Sequence, residues 1–112
     1  DAHVHLQWNL SPAEMFSAPL DYLASLVLVE AKATLMRGYT GVRDISGQVL
    51  GAKRAIDDGH FVGPRIWSCC AGLGMTSGHA DMKTNHTRPR QLGGPDWTDV
   101  EYMGMSIISQ KK

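Results

Sequence analysis

Asp1-Ala2-His3-Val4-His5-Leu6 alternates polar and apolar side chains with a period of two, the pattern of a short β-strand whose successive residues face opposite sides. Two later stretches read the same way. Tyr39-Thr40-Gly41-Val42-Arg43-Asp44-Ile45 is apolar enough to be a buried strand and ends in charge. Arg65-Ile66-Trp67-Ser68-Cys69-Cys70 follows the break at Gly63-Pro64 and makes a third. Helical patterns fill the intervals. Ser11-Pro12-Ala13-Glu14 has capping-box spacing with proline at the first helical position, which opens a short turn of helix. Ser17 is placed to cap a longer helix from about Pro19 to Arg37, with Leu20, Leu23, Leu26, Val27, Ala31, Thr34 and Leu35 spaced by three and four. Gly38 stands where that helix should stop, and Gly59 closes another that runs from about Val49 to Asp58 after the loop at Ser46-Gly47.

The order is therefore strand, helix, strand, helix, strand. Crossovers of this length join parallel neighbours with right-handed connections, so an α/β fold with parallel strands is expected. Val4 to Val42 is 38 residues and Val42 to Trp67 is 25; these bracket the roughly 31 per unit of a barrel that builds eight strand–helix pairs from about 250 residues. From Ala71 to about Thr98 the sequence turns polar, with Gly72, Gly74, Gly78, Gly93, Gly94, Pro89 and Pro95, and reads as a long loop of the kind that usually carries function or is disordered. Residues 99–112 mix helical and extended features.

Composition narrows the function classes. The 112 residues suffice for one domain. Eleven Lys and Arg balance eleven Asp and Glu, with no basic cluster beyond Lys111-Lys112, so a nucleic-acid partner is not expected. The longest apolar stretch, Leu26 to Val29, is far short of the roughly 20 residues that span a bilayer, and neither a membrane nor an export role is expected. Cys69 and Cys70 are adjacent and unsuited to pair with each other, which makes a reducing cytoplasm the default compartment.

The candidate chemistry starts with His3 and His5. Two apart on a strand, they project from one face and could both reach one metal ion. A catalytic zinc normally has three protein ligands and an open position for water, so further donors would have to come from elsewhere. A bare His-x-His pair is also common as a structural or surface feature.

Asp1-Ala2-His3-Val4-His5 resembles the first-strand metal motif of the amidohydrolase superfamily. Gly38-Tyr39-Thr40-Gly41-Val42-Arg43-Asp44 resembles its second-strand segment, Gly63-Pro64-Arg65-Ile66 the approach to its third strand, and Thr76-Ser77-Gly78-His79-Ala80-Asp81 the loop after it. Their order and spacing are similar to the branch with imidazolonepropionase-like and Xaa-Pro dipeptidase-like enzymes, over residues 1–81, with 82–112 divergent. The resemblance implies a (β/α)8 barrel in which metal-activated hydroxide hydrolyses amide or related C–N bonds of a small dipeptide-like substrate. It implies one or two divalent ions, zinc above all, with His3 and His5 as first-strand ligands. The family's later ligands, a strand-four lysine or glutamate, two histidines and a late aspartate, match no position here. The chain is accordingly expected to hold about the first three strand–helix units, a single incomplete barrel segment across 1–112. Its open parallel sheet would favour association, and a homo-oligomer is possible on that ground.

Other residues admit two readings each. Asp44, at the carboxyl end of the second strand, could together with Arg43 orient a substrate or a metal-ligating histidine, or could form a strand-end ion pair or a loop cap. His79 could contact substrate, or be an exposed loop residue; Asp81 is similar. His60 suits the end of a helix dipole, His86 a solvated stretch, and the cysteines strand packing. Trp8, Trp67 and Trp97 are too scattered for a stacking platform. Two function classes stand: part of a metal-dependent amidohydrolase, or a catalytically silent fragment or interaction module that keeps the first strands without the centre.

Overall fold

A computed structural model describes residues 1–69 together with Leu92. The expected loop from Ala71, with His79, Asp81 and His86, and the 99–112 end lie outside the described residues, as does Cys70.

Five elements follow in order: α1 (Pro12–Ser17), α2 (Leu20–Met36), β1 (Gly41–Asp44), α3 (Leu50–Asp57) and β2 (Arg65–Ser68). The capping box forms as its spacing requires, with the Ser11 hydroxyl accepting from Glu14 N–H while the Glu14 carboxylate accepts from Ser11 N–H. Ser17 does not cap α2. It ends α1, where its hydroxyl donates to the Ala13 and Glu14 carbonyls, and Pro19 takes the cap position without a side-chain bond. Both longer helices stop in the same way. Gly38 (φ +97°) and Gly59 (φ +77°) adopt the left-handed conformation open to a residue without Cβ. Gly38 N–H then donates to Leu35 O and Tyr39 N–H to Thr34 O, while Gly59 N–H donates to Ile56 O and His60 N–H to Ala55 O, which satisfies carbonyls the helix would leave bare.

β1 and β2 pair in parallel with Val42 opposite Ile66 and Asp44 opposite Ser68. The expected first strand is reduced to one parallel bridge, Val4 to Asp44. Its hydrogen bonds explain why. Asp1 brackets Val42, its terminal amine donating to Gly41 O and its carbonyl accepting from Arg43 N–H. Val4 brackets Asp44, donating to Arg43 O and accepting from Ile45 N–H. Three steps along the first segment thus face two along β1, and the extra residue is a bulge that breaks the ladder. The segment still runs beside β1 in the parallel sense, giving the lateral order first segment, β1, β2.

One face of this sheet is covered. Leu6, Val27, Ala31, Val42, Val49, Ala52 and Ile66 form the core, drawing α2 and α3 onto the strands. A satellite of Met15 and Leu23, with Trp8, Leu10 and Ala18 against it, ties α1 to α2. On the other face Arg43, Arg65 and Trp67 are exposed, with the Arg65 guanidinium 4.8 Å from the Trp67 ring centre. Leu20, expected in the core, is 51% exposed: it lies on the first turn of α2, ahead of Leu23 where the buried Leu23–Val27–Ala31–Thr34 stripe begins. No helix among the described residues is long and apolar enough to cross a membrane.

Candidate functional site

Val4 and Leu6 pack toward the core, and His5 between them is exposed. The two imidazoles are exposed, 5.2 Å apart between ring centres and nearly perpendicular at 87°. They lie where the first segment runs past the carboxyl end of β1. His5 Nδ1 is 3.4 Å from the Ser46 carbonyl, and its ring centre is 5.8 Å from that of Trp8. Trp8 therefore backs one histidine, a contact the scattered tryptophan positions did not suggest. Its indole N–H is buried and has no partner among the described residues.

Asp44 is fully buried. Its Oδ2 accepts from Leu6 N–H at 2.8 Å and its Oδ1 from Ser46 N–H at 3.3 Å. Burial pushes its carboxyl above the ordinary aspartate range, opposed by those two N–H groups and by the nearby His5. These two bonds form the loop cap that is one of the sequence alternatives. Arg43 is not its partner and donates instead to the Ala2 carbonyl, because the two side chains face opposite sides of the strand.

Two further residues complete the corner, and neither stood out in the sequence. Gln7 is buried, 3% exposed, and its Oε1 accepts from Gln48 N–H at 2.5 Å. Gly47 has φ +140°, and a Cβ there would come 3.1 Å from Gln7 Oε1 and 3.2 Å from Gln7 Cβ. The only sequence signal was a glycine two residues ahead of an amphipathic helix. An open pocket of about 210 Å³ lies between the first segment and α2, lined by Val4, His5, Leu6, Glu30, Thr34 and Arg37 among others. His5 borders this pocket and His3 does not.

No family model matches the chain. Over 48 residues, 43% of its length, it is 44% identical to ochratoxinase from Aspergillus niger, covering 10% of that protein. Its fold matches the crystal structure of a prolidase complexed with N-methylphosphonate-L-proline over 97% of the chain, at TM-score 0.79 and 25% identity, spanning 26% of that structure. A. niger ochratoxinase matches at TM-score 0.69 and 22% identity over 97% of this chain and 27% of its own. A Xaa-Pro dipeptidase with bound methionine in its active site matches at 0.63 and 30% over 87% and 24%. The resemblance is to the amidohydrolase superfamily. This amidohydrolase-like chain spans about a quarter of the length of those solved structures, and the neighbours' names are those of hydrolases. Three of the four amidohydrolase-like motifs fall on described residues: the bridged first segment, the Gly38 turn with β1, and the approach to β2. The fourth, residues 76–81, lies outside them.

Proposed function

We propose that this chain contributes the first-strand part of a divalent-metal centre in a (β/α)8 hydrolase of amide or dipeptide-like C–N bonds, with His3 and His5 as ligands. The imidazole pair carries the reading. Two rings bound to one tetrahedral ion at about 2.0–2.1 Å have centres about 5 Å apart, and the observed separation is 5.2 Å. The Ser46 carbonyl beside His5 Nδ1 can only accept, so it favours the tautomer with hydrogen on Nδ1 and leaves the Nε2 lone pair available to a cation. No group of three metal-binding side chains occurs among the described residues. The pair therefore supplies two ligands, and the remainder come from elsewhere in the protein.

Imidazole donors suit zinc. Such an ion supplies Lewis acidity and brings the pKa of water down to about 7. The chain's own residues do the holding. Asp44 fixes the backbone on both sides of the corner, and Trp8 limits the His5 ring on one flank. His79, which lies outside the described residues, is proposed as a substrate contact. Parallel strands in sequential order, with the helices of the described residues on one face, support a barrel whose other face points inward.

The test is cobalt or zinc titration of the 112-residue chain, with hydrolysis of N-acyl amino acids and Xaa-Pro dipeptides assayed in parallel. Metal uptake should weaken at least tenfold in His3→Ala and in His5→Ala. Uptake indifferent to both substitutions overturns the metal site. Turnover that disappears with chelation and with either substitution supports the hydrolase. Histidine-dependent binding without turnover of any substrate rejects catalysis for this chain and assigns it to the silent class.

A further inference from the structure

Three consecutive residues of the first segment are fastened to one short turn. His5 Nδ1 lies 3.4 Å from the Ser46 carbonyl, the Asp44 carboxylate accepts from Leu6 N–H, and the Gln7 side-chain carbonyl accepts from Gln48 N–H. The turn in question, residues 44–48, itself closes on Asp44 through Ser46 N–H. His3 has no comparable anchor: its described bond is from its backbone N–H to the Asp1 carboxylate at 3.1 Å, both residues being exposed. The corner is thus asymmetric, one imidazole held and the other loosely placed.

Gln7 is the member of this set whose chemistry is otherwise unexplained. A glutamine is mostly a surface residue, yet here it is 3% exposed. Burying its amide is unfavourable unless the amide is hydrogen-bonded, and the bond it makes is to a backbone N–H just ahead of α3. Gly47 is shaped around it. A side chain at position 47 would press on both Gln7 Oε1 and Gln7 Cβ, and the left-handed φ of +140° further disfavours one.

We infer that Gln7 is a positioning residue for His5. By locking the first segment to the 44–48 turn just beyond the histidine, it keeps His5 Nδ1 on the Ser46 carbonyl and so fixes the tautomer and direction of the ring. Its consequence for metal binding rests on the reading above, whereas its action on the His5 ring does not. Partners that orient a ligating histidine typically change metal affinity 10- to 100-fold when removed.

The deciding variant is Gln7→Met, which keeps the side-chain length and removes the acceptor, alongside Gln7→Glu, which keeps an acceptor oxygen. Nitrogen-15 NMR of the metal-free chain reads the tautomer of each histidine. His5 should be mainly the Nδ1–H form in the native chain and in Gln7→Glu, and should shift toward the Nε2–H form in Gln7→Met, with His3 unchanged. Cobalt affinity should fall about tenfold in Gln7→Met and not fall further when Gln7→Met is added to His5→Ala. A His5 tautomer unmoved by Gln7→Met in a folded chain overturns the positioning role. If Gln7→Met unfolds the chain, Gln48→Pro removes the same N–H donor from the other side and must reproduce the tautomer shift, or the role is equally overturned. A tautomer shift in a native chain that binds no cobalt supports the positioning role and rejects the metal reading instead.

Discussion

Asp44 is held by competing forces that can be separated by pH. Burial raises its pKa, while the Leu6 and Ser46 N–H groups and the nearby His5 pull it down, and burial prevails. A carboxyl whose folded pKa lies above its unfolded one binds more protons folded than unfolded in between, so stability declines as pH rises across that window. Asp44→Asn has no such titration. In the metal-free chain, urea midpoints taken from below the ordinary aspartate range up to neutrality should show the native protein losing stability relative to Asp44→Asn. At neutral pH the variant still pays for turning an amide N–H toward a backbone donor, a loss of about 1–3 kcal/mol. A native protein that gains on the variant as pH rises would mean that the two N–H bonds outweigh desolvation. Of the residues here, His3 and His5 were legible because a spacing of two on a strand is a local rule. Asp44 was legible as a candidate, but its role was not, because its partners are Leu6, 38 positions away, and Ser46, two positions on. Gln7 was illegible altogether: its burial depends on a turn 41 residues distant.

At the scale of elements, helix ends were readable and strand pairing was only partly so. Ser11-Pro12-Ala13-Glu14, Gly38 and Gly59 each act within one turn of their own chain, and each does what its sequence says. The bulge between Asp1 and Val4 depends on which carbonyl of β1 meets which amide, and no local pattern encodes that. The i,i+4 pairs Lys53–Asp57 and Arg54–Asp58 decorate the outer face of α3, and exposed pairs of this kind add only a few tenths of a kcal/mol. The cap of α1 is more consequential. The Ser11 hydroxyl, and then the Ser11 N–H, hold the Glu14 carboxyl below the ordinary glutamate range. The sign is opposite to that of Asp44: the stabilisation is present above the unfolded pKa and is lost as pH falls through the folded one. Acid titration followed by amide hydrogen exchange should therefore show the first turn of α1 losing protection below the glutamate range. Ser11→Ala should lower helix stability by about 1 kcal/mol at neutral pH and remove most of that acid dependence. An unchanged acid profile in Ser11→Ala would mean the capping box does not form in solution.

At the scale of the described residues as a whole, one apolar layer joins α2 and α3 to the strands. The parallel order and the helical crossovers could be read from the alternation of patterns, since strand–helix–strand units admit essentially one handed arrangement. Which side chains of β2 point to the helices could not, because Arg65-Ile66-Trp67-Ser68 offers two apolar residues of opposite parity. The structure chooses Ile66, 1% exposed and in the core with residues from the first segment, α2, β1 and α3, and leaves Trp67 51% exposed on the other face. Neighbouring substitutions then have unequal effects. Ile66→Ala removes buried methyl groups from the one cluster shared by these elements and should cost about 2–5 kcal/mol, a large share of the roughly 5–15 kcal/mol by which small domains are stable. Trp67→Ala removes a larger side chain from an uncovered face, where substitutions usually stay within about 0.5 kcal/mol. Urea unfolding followed by far-ultraviolet circular dichroism reads both, and in Ile66→Ala the helical signal should fall in one transition because α2 and α3 share one core cluster with Ile66. Equal losses at the two positions would show that the Trp67 face is itself packed in solution, by another part of the protein or by a second copy, and that the one-layer description of this sheet is wrong.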